Sequence, residues 1–353
     1  MRRSRVSARL PELGVDALLV TSLPNVRYLT GFTGSNGQAV IGMDAAVFLT
    51  DGRYAEQSRQ ETSDLERVTY LDGLVPSLRN VCSSLHVARL GFEAADVRYG
   101  FWRELSEALD GVELQPVERE VDRLRWEKDA DEIRMLERAQ EASDAAFDAI
   151  LDRLAVGVTE RQVARMLDES IHLAGADGLA FTPIVAFGEN AAEPHHRPGH
   201  RPLSEGDVVK LDFGALSGGY HADMTRTISF GDAPPQLRKI HDIVREAQQA
   251  GIDAARAGAR GVDVDATARA VIDEAGYGPA FSHGLGHGVG LEIHEGPTLG
   301  RRSDDVLPAG AVVTIEPGVY VPGLGGVRIE DMVELTENGC RPLPSATKEL
   351  IEL

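Results

Sequence analysis

Cysteine is nearly absent from this chain: Cys82 and Cys340 are the only two in 353 residues. They fall in what read as different domains, so no disulfide framework is expected, and a metal site of the CxxC kind is excluded. Long apolar runs are missing too. Eighteen consecutive apolar residues occur nowhere, so no transmembrane helix is expected. The N-terminus, Met1-Arg2-Arg3-Ser4-Arg5, is basic but continues as the amphipathic Val6-Ser7-Ala8-Arg9-Leu10 rather than as a continuous apolar signal core. A cytoplasmic protein is expected. Positive charge is also short. There are 36 Lys and Arg against 56 Asp and Glu, a formal charge of −20. That disfavours nucleic acid and anionic membrane as partners, since both present negative phosphate. Lysine stands only at positions 128, 210, 239 and 348.

What is there suits two folded domains. The chain is too long for one ordinary core, and 42% of it is hydrophobic. Residues 1–121 read as an α/β domain. Asp16-Ala17-Leu18-Leu19-Val20, Gln38-Ala39-Val40-Ile41 and Ala46-Val47-Phe48-Leu49-Thr50 have strand character. Gly31-Phe32-Thr33-Gly34-Ser35-Asn36-Gly37 lacks the Lys-Ser/Thr ending of a phosphate loop, so it reads as a turn. Residues 122–353 read as the second domain. Asp129 with Glu132 has capping-box spacing, and Ile133, Leu136, Phe147, Ile150, Leu151 and Leu154 recur at helical intervals. Gly157 is the expected stop. Thr159 with Gln162 opens a second helix in the same way.

The second domain repeats itself. Gly206-Asp207-Val208-Val209-Lys210-Leu211-Asp212-Phe213-Gly214 recurs as Gly310-Ala311-Val312-Val313-Thr314-Ile315-Glu316-Pro317-Gly318, 104 residues on. The helix starts Gly157-Val158-Thr159 and Gly261-Val262-Asp263 share that offset. Gly218 to Asp223 recurs as Gly325 to Glu330, and Glu193-Pro194-His195 is echoed by Glu292-Ile293-His294. The period is far too long for a solenoid, and the matches keep one order. Two αβ halves around a pseudo-two-fold axis are expected.

The repeated feature is a carboxylate in an apolar strand. Period-two alternation puts Val209, Leu211 and Phe213 on one face and Asp212 on the other, with Glu316 placed likewise. A second strand in each half is expected to carry Asp223 or Glu330. Four acids converging in a buried place repel one another, so bound divalent cations are the simplest resolution. An oxygen-rich set suits manganese or cobalt, with zinc a further candidate. His283-Gly284-Leu285-Gly286-His287-Gly288-Val289-Gly290 offers nitrogen. Its histidines are four apart, but the Glu of a HExxH helix is missing and the glycines argue for an irregular loop. His196, His200 and His221 are read as structural.

Taken together, these motifs resemble the Xaa-Pro peptidases, which include aminopeptidase P and prolidase. The resemblance rests on Asn25-Val26-Arg27-Tyr28-Leu29-Thr30-Gly31-Phe32, Asp212-Phe213-Gly214, Asp223-Met224-Thr225-Arg226-Thr227, His283-Gly284-Leu285-Gly286-His287, Glu316-Pro317-Gly318-Val319-Tyr320 and Arg328-Ile329-Glu330-Asp331. It implies a creatinase-type N-terminal domain followed by a pita-bread catalytic domain. It implies two divalent metal ions held by Asp212, Asp223, His287, Glu316 and Glu330, with Asp223 and Glu330 bridging. It assigns His195 and His294 to substrate contact and the reacting carbonyl, and His283, Tyr320 and Arg328 to the proline pocket or to hydrogen bonds near the metals; Glu316 is the candidate proton shuttle. The expected activity is release of the first residue from peptides with proline second, by a homodimer. Xaa-Pro dipeptidase is the alternative. A metal-free creatinase-like hydrolase, a non-catalytic binding module and a methionine aminopeptidase rank lower.

Overall fold

The three N-terminal strand signals become the middle of a six-stranded mixed sheet in a computed structural model, which describes residues 2–353. Its order is Glu66–Tyr70, Ala46–Asp51, Gln38–Gly42, Ala17–Val20, Arg89–Glu93, Glu113–Val117. Leu19, Val40, Leu49 and Leu90 on this sheet pack with Leu78 and Leu105 from helices. The glycine-rich stretch is a turn, as expected: Gly31, in the left-handed region at φ 80°, closes the helix Leu23–Thr30.

The chain divides into two units, Met1–Arg125 and Trp126–Leu353. The expected boundary after residue 121 falls inside the helix Glu120–Trp126. All of that helix but Trp126 belongs to the first unit, where Arg125 donates to Asn25 Oδ1 at 2.9 Å and the Leu124 carbonyl accepts from the Tyr28 hydroxyl at 3.0 Å. Such tertiary ties leave no local mark in sequence.

The second unit begins with two capped helices. Asp129 and Glu132 form a complete capping box on Ala130–Leu151, and Thr159 and Gln162 do the same for Glu160–Leu173. The first helix stops at Leu151, before the expected Gly157, while Leu154 remains buried beyond its end. The helices Pro235–Ala254 and Gly261–Glu274 form the corresponding second pair.

Each helix pair covers its own sheet. In one core Phe147, Val163 and Ile171 meet Val185, Val209, Leu211, Phe213 and Ile228. In the other Ile240, Val244, Val264 and Ile272 meet Val313, Ile315, Val333 and Leu335. The first sheet runs Met224–Phe230, Asp207–Phe213, Ile184–Phe187, and the second runs Glu295–Leu299, Gly286–Gly288, Val312–Ile315, Asp331–Thr336, Gly339–Pro342. An antiparallel bridge between Thr225 and Glu330 joins the halves. There the Glu330 N–H donates to the Thr225 carbonyl at 3.1 Å. Arg226 reinforces the join, donating to the Glu330 carbonyl at 2.7 Å and pairing with Asp331 at 2.8 Å. Among the described residues no helix is long and apolar enough to cross a membrane.

Candidate active site

Strand alternation delivers the first acid. Val209, Leu211 and Phe213 are buried in the core of the first half, which leaves Lys210 and Asp212 on the opposite face. Gly214 then lets the chain double back. A Cβ there would lie 1.7 Å from the Ala222 carbonyl, so only glycine permits the approach that brings Asp223 beside Asp212. Asp223 and Glu330 do not sit on strands, contrary to expectation. Asp223 precedes Met224–Phe230 directly, and Glu330 lies between Gly325–Arg328 and Asp331–Thr336. Glu330 leaves its own sheet because its backbone is committed to the bridge with Thr225. Glu316 follows the last residue of Val312–Ile315.

The histidine motif is more regular than its glycines suggest. Gly286–Gly288 is a short strand between Glu295–Leu299 and Val312–Ile315, not an irregular loop. A Cβ at Gly286 would sit 1.9 Å from the Thr314 carbonyl, so this glycine buys the close approach of the His287 and Glu316 strands.

The five expected ligand residues all line one cavity of about 780 Å³, together with His195, His294, His283 and Arg328. Tyr320 stands behind it, bonded through its hydroxyl to His283 Nε2 at 2.8 Å and Arg328 Nη1 at 2.7 Å. Asp223, His287 and Glu330 each place a donor atom within 4.8 Å of the others. His287 Nε2 lies 3.3 Å from Glu316 Oε1 and 3.6 Å from Asp223 Oδ2. Its Nδ1 lies 3.0 Å from the Gly288 carbonyl. The proton therefore belongs on Nδ1, which leaves the Nε2 lone pair facing the acids. Asp212 meets the Arg328 guanidinium through Oδ2, while its buried Oδ1 has no hydrogen-bond partner among the described residues.

Electrostatics agree with that geometry. Burial, then repulsion by Glu330, Asp212 and Glu316, holds the Asp223 carboxyl well above its ordinary range. Burial and the Glu316 and Asp212 charges do the same to Glu330, and burial pushes Glu316 up to about 7. Burial pulls His287 and His294 down, so both favour the neutral ring. Carboxylate oxygens, one bare imidazole nitrogen and an orphaned buried oxygen form a donor set that a divalent cation fits.

The second unit matches the family described as metallopeptidase family M24 over residues 134–337. The chain belongs to metallopeptidase family M24. Residues 2–126 match the creatinase/prolidase N-terminal domain, so the creatinase-type domain and pita-bread fold implied by the motifs hold. The chain is similar to a curated Xaa-Pro dipeptidase of Pyrococcus horikoshii, 35% identical over 96% of this chain and 95% of the relative. It is also similar to the solved structure of an Xaa-Pro dipeptidase from Bacillus anthracis. That likeness has a TM-score of 0.97 at 40% identity, covering 100% of this chain and 99% of that one. An X-Pro aminopeptidase from Thermotoga maritima superposes with a TM-score of 0.91 at 36% identity, covering 99% and 100%. As an M24 member this protein is a metallopeptidase, and the sequence-based assignment to the Xaa-Pro peptidases holds.

Several residues of the site escaped sequence reasoning. Thr225 donates to Glu330 Oε2 at 2.5 Å and accepts from Arg328 Nε at 3.0 Å. Thr314 Oγ1 lies 3.1 Å from Glu316 Oε1. Lys210 is fully buried, and burial pushes its ammonium down to about 7. Its place two residues before Asp212 in an otherwise apolar strand is the signal that could have found it. His196, expected to be structural, both lines the cavity and pairs with Glu160 at 3.0 Å.

Proposed function

We propose that this M24 peptidase is an Xaa-Pro dipeptidase. The observation that carries the reading is the single cavity in which the acid and histidine cluster faces Arg161 and Arg197. Neither arginine side chain pairs with an acid among the described residues. A dipeptide presents a free carboxylate right after its proline, and these guanidiniums offer it a partner. The likeness to the P. horikoshii and B. anthracis dipeptidases supports the same order of preference. Sequence reasoning alone put the aminopeptidase first.

Asp212, Asp223, His287, Glu316 and Glu330 would hold two divalent cations. Manganese or cobalt suits these oxygen donors, and zinc is accommodated. Bound there, the cations supply Lewis acidity and lower the pKa of water. Glu316, which lines the cavity beside His287, takes the proton of the attacking water and passes it to the leaving proline nitrogen. His195 and His294 face the cavity from equivalent places in the two halves and donate to the oxygen of the carbonyl under attack. Arg328, Tyr320 and His283 form a hydrogen-bonded chain that holds the wall of the proline pocket. Burial pulls His283 down to about 4, so its neutral Nε2 accepts the Tyr320 proton.

The deciding assay compares an Xaa-Pro dipeptide with an Xaa-Pro tripeptide, with metal and after chelation. The expected result is metal-dependent cleavage of the dipeptide and little cleavage of the tripeptide. Equal turnover of both would establish the second reading, Xaa-Pro aminopeptidase, which the T. maritima likeness favours. Activity untouched by chelators would refute both. A homodimer, implied by the family resemblance, belongs to the same proposal and is read by light scattering.

A further inference from the structure

Lys210 is a buried member of the site with no part in the chemistry above. It lies on the Asp212 face of Asp207–Phe213, and its side chain is fully enclosed. Nζ donates to the Ala191 carbonyl at 3.0 Å and the Glu193 carbonyl at 2.6 Å, and stands 5.1 Å from the centre of the Tyr320 ring. Those carbonyls belong to the segment that leads into His195. The next one, Pro194, accepts from Arg328 Nη1 at 3.3 Å. Glu160 ties down the rest of the segment. It accepts from Phe187 N at 3.0 Å, Asn190 Nδ2 at 2.9 Å, His196 Nε2 at 3.0 Å and Gly199 N at 2.8 Å. The backbone is held on both sides of His195, while the His195 side chain is exposed to the cavity.

The internal repeat supplies an independent observation. Lys210 and Thr314 occupy equivalent places, each two residues before a carboxylate and on its face of the strand. Thr314 Oγ1 accepts from the His287 N–H at 3.1 Å, so it ties its strand to the backbone of a histidine. Lys210 likewise ties its strand to a histidine-bearing segment, here the one that leads into His195, whose repeat counterpart is His294 rather than His287. Either protonation form of an amine carries the two N–H groups required, so the tie does not depend on charge.

We infer that Lys210 is a positioning residue for the peptidase reaction, fixing the Ala191–His195 backbone so that His195 meets the substrate carbonyl. This rests on the reading of His195 given above. Misplacing such a group by about 1 Å costs on the order of a hundredfold in rate.

The test is a double-mutant cycle on the metal-loaded enzyme with an Xaa-Pro dipeptide. Lys210→Met should lower kcat about ten- to a hundredfold with a smaller change in KM. In a His195→Ala background the same substitution should change kcat by less than about twofold. Losses that simply multiply would overturn the inference. Lys210→Gln keeps an NH2 with two N–H donors on a shorter side chain and should recover part of the activity. Amide hydrogen exchange, read without metal or substrate, should quicken over residues 188–200 in Lys210→Met and stay unchanged in Ala130–Leu151. Unaltered exchange in 188–200 would also overturn it. So would failure of both Lys210 variants to fold, because Lys210 would then be holding the core rather than one segment. A wild-type enzyme inert on every Xaa-Pro peptide would instead refute the proposed function, and the exchange measurement would still judge the tether.

Discussion

At Glu316 two demands on one carboxyl meet. Burial pushes it up to about 7, while Thr314 and His287 both approach its Oε1. The proposed role of Glu316 as proton carrier rests on its place beside His287 and the other acids, and bound divalent cations would favour its deprotonated form. Glu316→Gln keeps size and shape, so the melting temperature should not fall. The turnover number should drop about 10²–10⁴-fold. Full activity in that variant would sink the assignment. Alternation placed Asp212 and Glu316 correctly on the faces away from their cores, because period two is a local property of a strand. It could not say what Lys210 and Thr314 do. A polar residue between apolar neighbours reads as solvent-facing unless both faces of the strand are covered, and here they are.

At the scale of elements, the legible parts were those with local causes. Both capping boxes are complete because each is closed within four residues. The strand Gly286–Gly288 was not legible, since glycine disfavours strands and this one exists through its neighbours on both sides. Its glycines record that crowding. Gly286→Ala would drive a methyl into the Thr314 carbonyl and part the His287 and Glu316 strands. Divalent-metal affinity measured by calorimetry should weaken about 10–100-fold, the usual effect of disturbing support around a ligand. Glu160 is the other element-level keystone. Glu160→Ala strands the Phe187 and Gly199 N–H groups and should cost about 2–4 kcal/mol in denaturant unfolding. A loss under about 0.5 kcal/mol would mean that water replaces the carboxylate at no cost.

Across the whole molecule the duplication was readable, since it is written in the order and spacing of motifs. The two helix-covered sheets follow from it. The join between them was not readable, because the Thr225–Glu330 bridge spans distant parts of the chain. That join concentrates acids, with a consequence for stability. Asp223, Glu330 and Glu316 have folded-state pKa values above their unfolded ones. Without metal, the folded state therefore binds more protons. Their stabilising contribution is complete below the unfolded pKa, near 4.5 for Glu316, and is lost as pH rises through about 7. Divalent cations need the deprotonated acids and reverse the trend. The melting temperature of chelated protein should fall between about pH 5 and about pH 8, and added manganese should raise it far more at the higher pH. An equal rise at both would contradict the shared acidic centre.

The bridge between Thr225 and Glu330 also bears on how the protein is made. The Thr225 hydroxyl and the Glu330 carboxylate it supports are 105 residues apart. A ribosome that has passed His287 has already supplied Asp212 and Asp223, yet neither glutamate. A nascent or truncated chain at that stage lacks Glu316, the proposed proton carrier, and half of the paired acids. On the proposed assignment, peptidase activity is expected only once both halves have been synthesised and joined.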